Sequence, residues 1–289
     1  MGINVYEVIT DRILGMLKQG VVPWRQPWVA ASAPKNLVSK KEYRGVNVLL
    51  LGTQNYTSPY WCTYKQCTEK GGQVRKGEKS TPVVFWKITD KKDNPKEKSF
   101  ILRYYNVFNV GQCDGLDVPT VESGKVFSPI QECENLVKLY KTIPKVEHGG
   151  SRAYYNPSFD YIGMPTQNSF NSPEEYYSTF FHELVHSTGH KDRLDREGIT
   201  NPIRFGSHDY SFEELVAECG AAFLCGRAGI VNRTLENSAA YIQSWARKLK
   251  SEPRWIVEAA SKADKAVAYI APYAEEVSEE EEESDEVAA

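Results

Sequence analysis

The sequence predicts an α+β protein of two domains, a small α+β domain followed by a mostly helical domain with a small sheet; three observations carry this. Thr81–Ile88 and Phe100–Val110 are rich in β-branched and aromatic side chains and flank the turn-rich Asp90–Lys98, which together read as a hairpin. From Ser172 onward the apolar period becomes helical. The charge changes between the same two parts: residues 1–112 carry 18 basic against 8 acidic groups, and residues 113–289 carry 17 against 30. With 289 residues and 41% apolar content, the chain can bury a sizeable core.

Taken in order, Ile3–Gln19 repeats apolar residues at three- and four-residue steps (Val5, Val8, Ile9, Ile13, Met16, Leu17) and stops at Gly20, which predicts an amphipathic helix facing a core. A Pro- and Trp-punctuated loop follows at Val22–Trp28. Helical patterns come next at Asn47–Leu51 and at Thr63–Lys70, the latter ending at Gly71-Gly72. After the hairpin, residues 111–127 mix Gly, Pro and acids without periodicity, so 1–112 is set as the first domain and 113–127 as a linker. The second domain, 128–273, begins with a helix at Pro129–Lys141 and short strands at Arg152–Tyr155 and Phe159–Met164. A helix from Ser172 to Gly189, another starting at Ser211, and two more at about 235–250 and 254–270 complete it. Nine acids and no base lie in Glu275–Ala289, so residues 274–289 are expected to be a disordered acidic tail.

The N-terminus lacks an apolar stretch with a small-residue cleavage site, and no run of eighteen apolar residues occurs, so a soluble, cytoplasmic protein is expected. Six cysteines without C-x-x-C spacing indicate neither a disulfide framework nor a zinc ribbon; reduced, mainly buried thiols are expected.

The chemistry concentrates in His182-Glu183-Leu184-Val185-His186. Ser172 as N-cap, Pro173 at the first helical position and Glu175 closing a capping box start a helix that Gly189 ends, so the motif lies inside it. His182 and His186 are one turn apart and face the same way, so both imidazoles can converge on one ion, with Glu183 beside them. This is the zincin pattern: Zn2+ accepts imidazole and carboxylate ligands, lowers the pKa of bound water toward about 7, and leaves Glu183 to take its proton during attack on a carbonyl.

Three candidates compete for the third ligand: Asp192 in a His-Glu-x-x-His-x-x-Gly-x-x-Asp arrangement, the poorly spaced His190, and Glu214 on the next helix. Glu214 with Glu218 fits a gluzincin arrangement, in which the second acid orients a ligand histidine. Glu214 also fits a capping box with Ser211, and Glu213 reads as a solvated neighbour. Ala217, Gly220, Ala221 and Ala222 form a small-residue face that allows close approach to the active helix. Tyr210 and His208 are candidates for stabilising an oxyanion.

In the first domain, Trp24, Trp28, Tyr43 and Trp86 are interleaved with Arg25, Lys35, Lys40, Arg44, Arg75, Lys76, Lys79 and Lys87, and Asn36 sits among them. Flat rings for base stacking beside cations for phosphates are the ingredients of a single-strand nucleic-acid surface; a solvated basic face would read the same.

Pro23-Trp24-Arg25-Gln26-Pro27-Trp28, Pro34-Lys35-Asn36, Tyr43-Arg44-Gly45-Val46-Asn47, the Gly71–Lys79 loop, Val83–Lys87, His182–His186 and Glu214–Glu218 together resemble the ArdC-type antirestriction proteins of plasmids and other mobile elements. The likeness covers nearly everything except the acidic tail. It implies an N-terminal single-stranded-DNA-binding domain, a C-terminal zincin-like metallopeptidase domain, and protection of incoming DNA from restriction. It also implies His182, His186 and Glu214 as zinc ligands, Glu183 as general base, single-stranded DNA as partner and a protein as possible substrate.

Overall fold

The computed structural model describes residues 4–25, 33–91, 94–119, 129–200, 208–230 and 239–273. The expected Trp28 contact and the acidic tail lie outside them. The first helix, α1 (Val5–Lys18), is capped by Asn4, whose side chain accepts from the Tyr6 amide. It buries Ile9, Ile13, Met16 and Leu17 on one face, as its spacing predicts.

A four-stranded sheet follows, built from β1 (Lys35–Asn36), β2 (Tyr60–Cys62), β4 (Thr81–Lys91) and β5 (Asn94–Asn109), in the order β1-β2-β5-β4. Between these strands lie α2 (Val46–Gly52), α3 (Tyr64–Glu69) and β3 (Gln73–Val74), the last pairing with β6 (Cys113–Asp114). The hairpin of β4 and β5 is longer than the sequence suggests: pairing continues past Ile88↔Phe100 to Lys91↔Asn94, using residues that read as a loop. The short strands β1, β2, β3 and β6 are also absent from the sequence reading, because two or three residues carry no period. At the free edge of β4, the Asn47 side chain accepts from the Val84 amide (2.7 Å) and donates to its carbonyl (2.8 Å), replacing a missing strand.

The second half contains α4 (Pro129–Leu139), a three-stranded sheet of β7 (Lys145–His148), β8 (Tyr154–Asn156) and β9 (Tyr161–Met164) in the order β7-β9-β8, and five further helices. These are α5 (Pro173–Ser187), α6 (Glu197–Thr200), α7 (His208–Ala228), α8 (Ala239–Ser251) and α9 (Trp255–Ile270). β7, which pairs parallel to β9, was not foreseen. No described helix is long and apolar enough to cross a membrane.

One apolar core runs through both halves: Ile9, Ile13 and Trp24 join Leu49 and Leu50 of α2 with Phe181, Leu184, Leu215, Leu224, Leu249 and Ile256. Two smaller cores serve the first sheet, one around Trp61 and Val83 and one around Cys62 and Cys67.

Candidate metal centre

Helix α5 starts at the predicted cap, with the Ser172 hydroxyl accepting from the Glu175 amide at 3.3 Å. The reciprocal half of the box goes elsewhere, because the Glu175 carboxylate takes the Asn171 amide at 2.9 Å. Two turns further on, His182 and His186 point their Nε2 atoms at one place, 3.1 Å apart. Glu214 completes the set from α7, its Oε2 lying 3.5 Å from His182 Nε2 and its Oε1 3.5 Å from His186 Nε2.

The two helices approach this closely because of the small-residue face. A Cβ at Gly220 would stand 2.6 Å from Cγ2 of Val185, the residue before His186. Because α7 begins at His208, Ser211 is a buried residue of its first turn and Glu214 is free of any capping role. Asp192 and His190 are elsewhere, paired with each other at 3.5 Å, with the Asp192 side chain exposed.

The carboxylate behind the site is Glu213, not Glu218. Glu213 is 4% exposed, not solvated as its sequence position suggested, and its Oε1 lies 3.3 Å from His186 Nδ1. Arg196 holds it there, donating to Glu213 Oε1 from Nη2 (2.7 Å), to the Thr188 hydroxyl (2.6 Å) and to the Val185 carbonyl (2.7 Å). Glu218 faces the first domain: Arg25 donates to it at 2.8 Å and the Tyr241 hydroxyl at 3.0 Å, while Trp24 donates to that hydroxyl at 3.1 Å. The orienting role expected of Glu218 is therefore corrected to Glu213, since of these two acids Glu213 is the one bonded to an imidazole nitrogen, Nδ1 of His186. Nothing in the local sequence separates the two acids, because Arg196 arrives from a turn outside the motif.

Burial by itself would depress the His186 imidazole, but hydrogen bonds to Glu213 and Glu214 raise it to about 10. His182 is raised against burial by Glu214. Burial pushes the Glu214 carboxyl up, yet the two imidazoles hold it far below the usual carboxylate range. Glu183, 8% exposed on α5, lies within electrostatic reach of both imidazoles. Tyr210 borders the site, its phenol raised to about 12 by burial and by Glu214, to which it is hydrogen-bonded. His208 does not, its ring meeting Trp255 edge-on and its Nε2 lying 3.5 Å from Glu252.

The candidate nucleic-acid residues divide by exposure. Trp24 is fully buried against Trp245, and Arg25 is buried in its pair with Glu218, so both expectations are corrected: these residues join the two halves of the chain. Asn36 and Tyr43 are also buried, bonded to each other at 3.4 Å, and serve the fold of the β1 turn. Lys35 is half-buried beside Glu42. Exposed are Lys40, Arg44, Arg75, Lys76, Lys79, Trp86 and Lys87. Arg75 is engaged with Glu78, Asp114 and the Gly111 carbonyl, and Arg44 lies over the Tyr273 ring. Sequence reading missed Phe100 and Arg103, which are exposed on the outer hairpin, Phe100 on the same face as Trp86 and Arg103 on the same face as Lys87.

Two imidazoles and a carboxylate converging from adjacent helices, with a buried Glu beside them, define a protein with a zincin-like metallopeptidase domain. The sequence comparisons agree. A family profile described as zincin-like metallopeptidase matches residues 131–262, and one for the N-terminal domain of anti-restriction factor ArdC matches residues 3–108. The chain belongs to the ArdC antirestriction family.

Solved structures of the antirestriction ArdC protein from plasmid R388, one metal-free and one Mn(II)-bound, superpose with TM-scores of 0.72 and 0.73. Each is 37% identical, and the matches cover 93% of this chain and 97% of theirs. An uncharacterized protein y4eC of Sinorhizobium fredii is 35% identical over 90% of this chain and 89% of its own. Two DNA primases TraC of Escherichia coli are 34% and 35% identical over 92% and 90% of this chain; the chain spans only 20% and 26% of their length.

Proposed function

We propose that the protein binds single-stranded DNA through its first domain, holds a zinc ion at His182, His186 and Glu214, and acts in antirestriction by occupying DNA as it enters the cytoplasm. The observation that carries the metal reading is the donor geometry. Bonds of about 2.0–2.1 Å to a tetrahedral ion require ligand atoms about 3.3 Å apart; the imidazole nitrogens are 3.1 Å apart, and each lies 3.5 Å from one of the two Glu214 carboxylate oxygens. When bound, the ion supplies a Lewis acid for polarising a carbonyl and acidifying water. In this reading Glu183 accepts a proton from attacking water and returns it to the leaving nitrogen. Glu213 holds the His186 ring with Nε2 toward the centre. Tyr210 stays protonated at neutral pH and offers a neutral O–H beside Glu214 to a carbonyl oxygen.

The DNA reading is supported by the outer hairpin, where Lys87 and Arg103 share a face with the exposed ring of Phe85, and Trp86 and Phe100 expose their rings on the other face. The test is quenching of tryptophan fluorescence in the whole chain by a single-stranded oligonucleotide, against a duplex control, at two salt concentrations. Quenching by single strands that weakens with salt is expected. Absence of binding would leave a metallopeptidase whose basic domain recognises a protein.

A second reading, a DNA-targeted protease that cleaves proteins found on the strand, is favoured by the burial of Glu183 beside the donors. A third takes the metal as structural. Glu183→Gln separates them: loss of protection with DNA binding intact supports the protease, and retained protection supports the binding module.

A further inference from the structure

The sulfur atoms of Cys62, Cys67 and Cys113 all lie within 4.8 Å of one another, and no other kind of metal donor shares their cluster. They arrive from the end of β2, from α3 and from β6, three elements of two to six residues. Elements so short have little stability of their own. The apolar cluster around them is small, with Leu37 and Val110 its other buried members. Three thiols at the centre of so small an apolar cluster suit a cation better than they suit a core.

We propose that Cys62, Cys67 and Cys113 form a second metal site, separate from His182–His186–Glu214, for a thiophilic divalent cation of the zinc class. With zinc–sulfur bonds of about 2.3 Å, the sulfurs of a tetrahedral site lie about 3.8 Å apart. Closing from 4.8 Å asks at most about 0.6 Å of each sulfur, within the reach of side-chain rotation. Cys62 and Cys67 are fully buried and Cys113 is half-buried, so the fourth position opens toward solvent for a water or a small thiol. In the free state burial keeps the Cys62 and Cys113 thiols protonated, Cys62 being raised to about 11. Each sulfur therefore gives up a proton to the buffer as it binds, and uptake releases protons. Because β6 pairs with β3 at Val74↔Cys113, the ion would anchor the turn bearing Lys76 and Lys79. The cysteine spacing in sequence gives no hint of this, since the three meet only through the sheet.

The whole chain, reduced, stripped with chelator and kept anaerobic, is titrated with Cd2+ while the near-ultraviolet sulfur-to-metal charge-transfer band is followed. The band is expected to saturate at one equivalent, to persist in His182→Ala, and to be lost in Cys67→Ser and weakened in Cys113→Ser. Zn2+ is expected to slow maleimide labelling of Cys113 in the unaltered chain by at least about tenfold, a readout that stands even if the serine variants fail to fold. Absence of the band, labelling unaffected by Zn2+, or a disulfide among the three that re-forms in the presence of Zn2+ would overturn the assignment.

Discussion

Neighbouring carboxylates on α7 do different work because of what each meets: Glu214 reaches both imidazoles at Nε2, while Glu213 meets Nδ1 of His186 from behind, pinned by Arg196. Removing one partner of a buried ion pair leaves a lone buried charge, at a cost of about 3–5 kcal/mol. Glu213→Ala is therefore expected to lower stability by about that amount in denaturant melts, and zinc affinity by about 10–100-fold; unchanged affinity would mean that Glu213 does not orient His186. Glu183→Gln should instead leave zinc binding intact and reduce any peptide hydrolysis by about 10²–10⁴-fold. The metal-free site also sets a pH dependence. His186 is raised from 6.5 to about 10, so its proton stabilises the folded chain fully below pH 6.5, and this contribution fades as pH rises toward 10. That proton must leave before Nε2 can take a cation, so zinc affinity climbs over the same window. Thermal melts should show a zinc-induced gain that grows from pH 6.5 to about pH 9; a gain that shrinks would contradict the assignment.

Helix α5 was legible almost entirely, because its cap, its proline and its histidine spacing are local. Helix α7 was legible in its small face but not in its start, since Ser211 with Glu214 reads as a capping box while the helix already runs from His208, with Ser211 buried in its first turn. Gly220 is the contact that sets the separation of the two helices. Gly220→Ala places a methyl against Val185, and overpacking of this kind costs about 1–3 kcal/mol; thermal denaturation with and without zinc should show both stability and the zinc-induced gain falling. The hairpin behaves oppositely. Trp86 is 46% exposed and Phe100 62% exposed, so Trp86→Ala should change stability by no more than about 0.5 kcal/mol while costing about 1–3 kcal/mol of single-strand affinity. Unchanged affinity in the fluorescence titration would move the DNA surface to the exposed lysines Lys40, Lys76 and Lys79.

Across the whole molecule, the order of the chain and the layout of the core differ. Helix α1 and Trp24 belong by sequence to the basic half, yet they are buried with α7, α8 and α9, and the Arg25–Glu218 pair joins the halves one helical turn from Glu214. A fragment ending at residue 112 would expose Ile9, Ile13, Leu17 and Trp24, and hydrogen exchange should find its first helix unprotected, in contrast to the whole chain. The sequence by itself determined the fold class, the main helices, the hairpin and the two histidines with their glutamate, because each of these is written in residues close together along the chain. Tertiary structure alone decided which acid orients His186, which aromatic residues are core and which are surface, and where three distant cysteines meet, because those depend on distances between segments that no local period encodes.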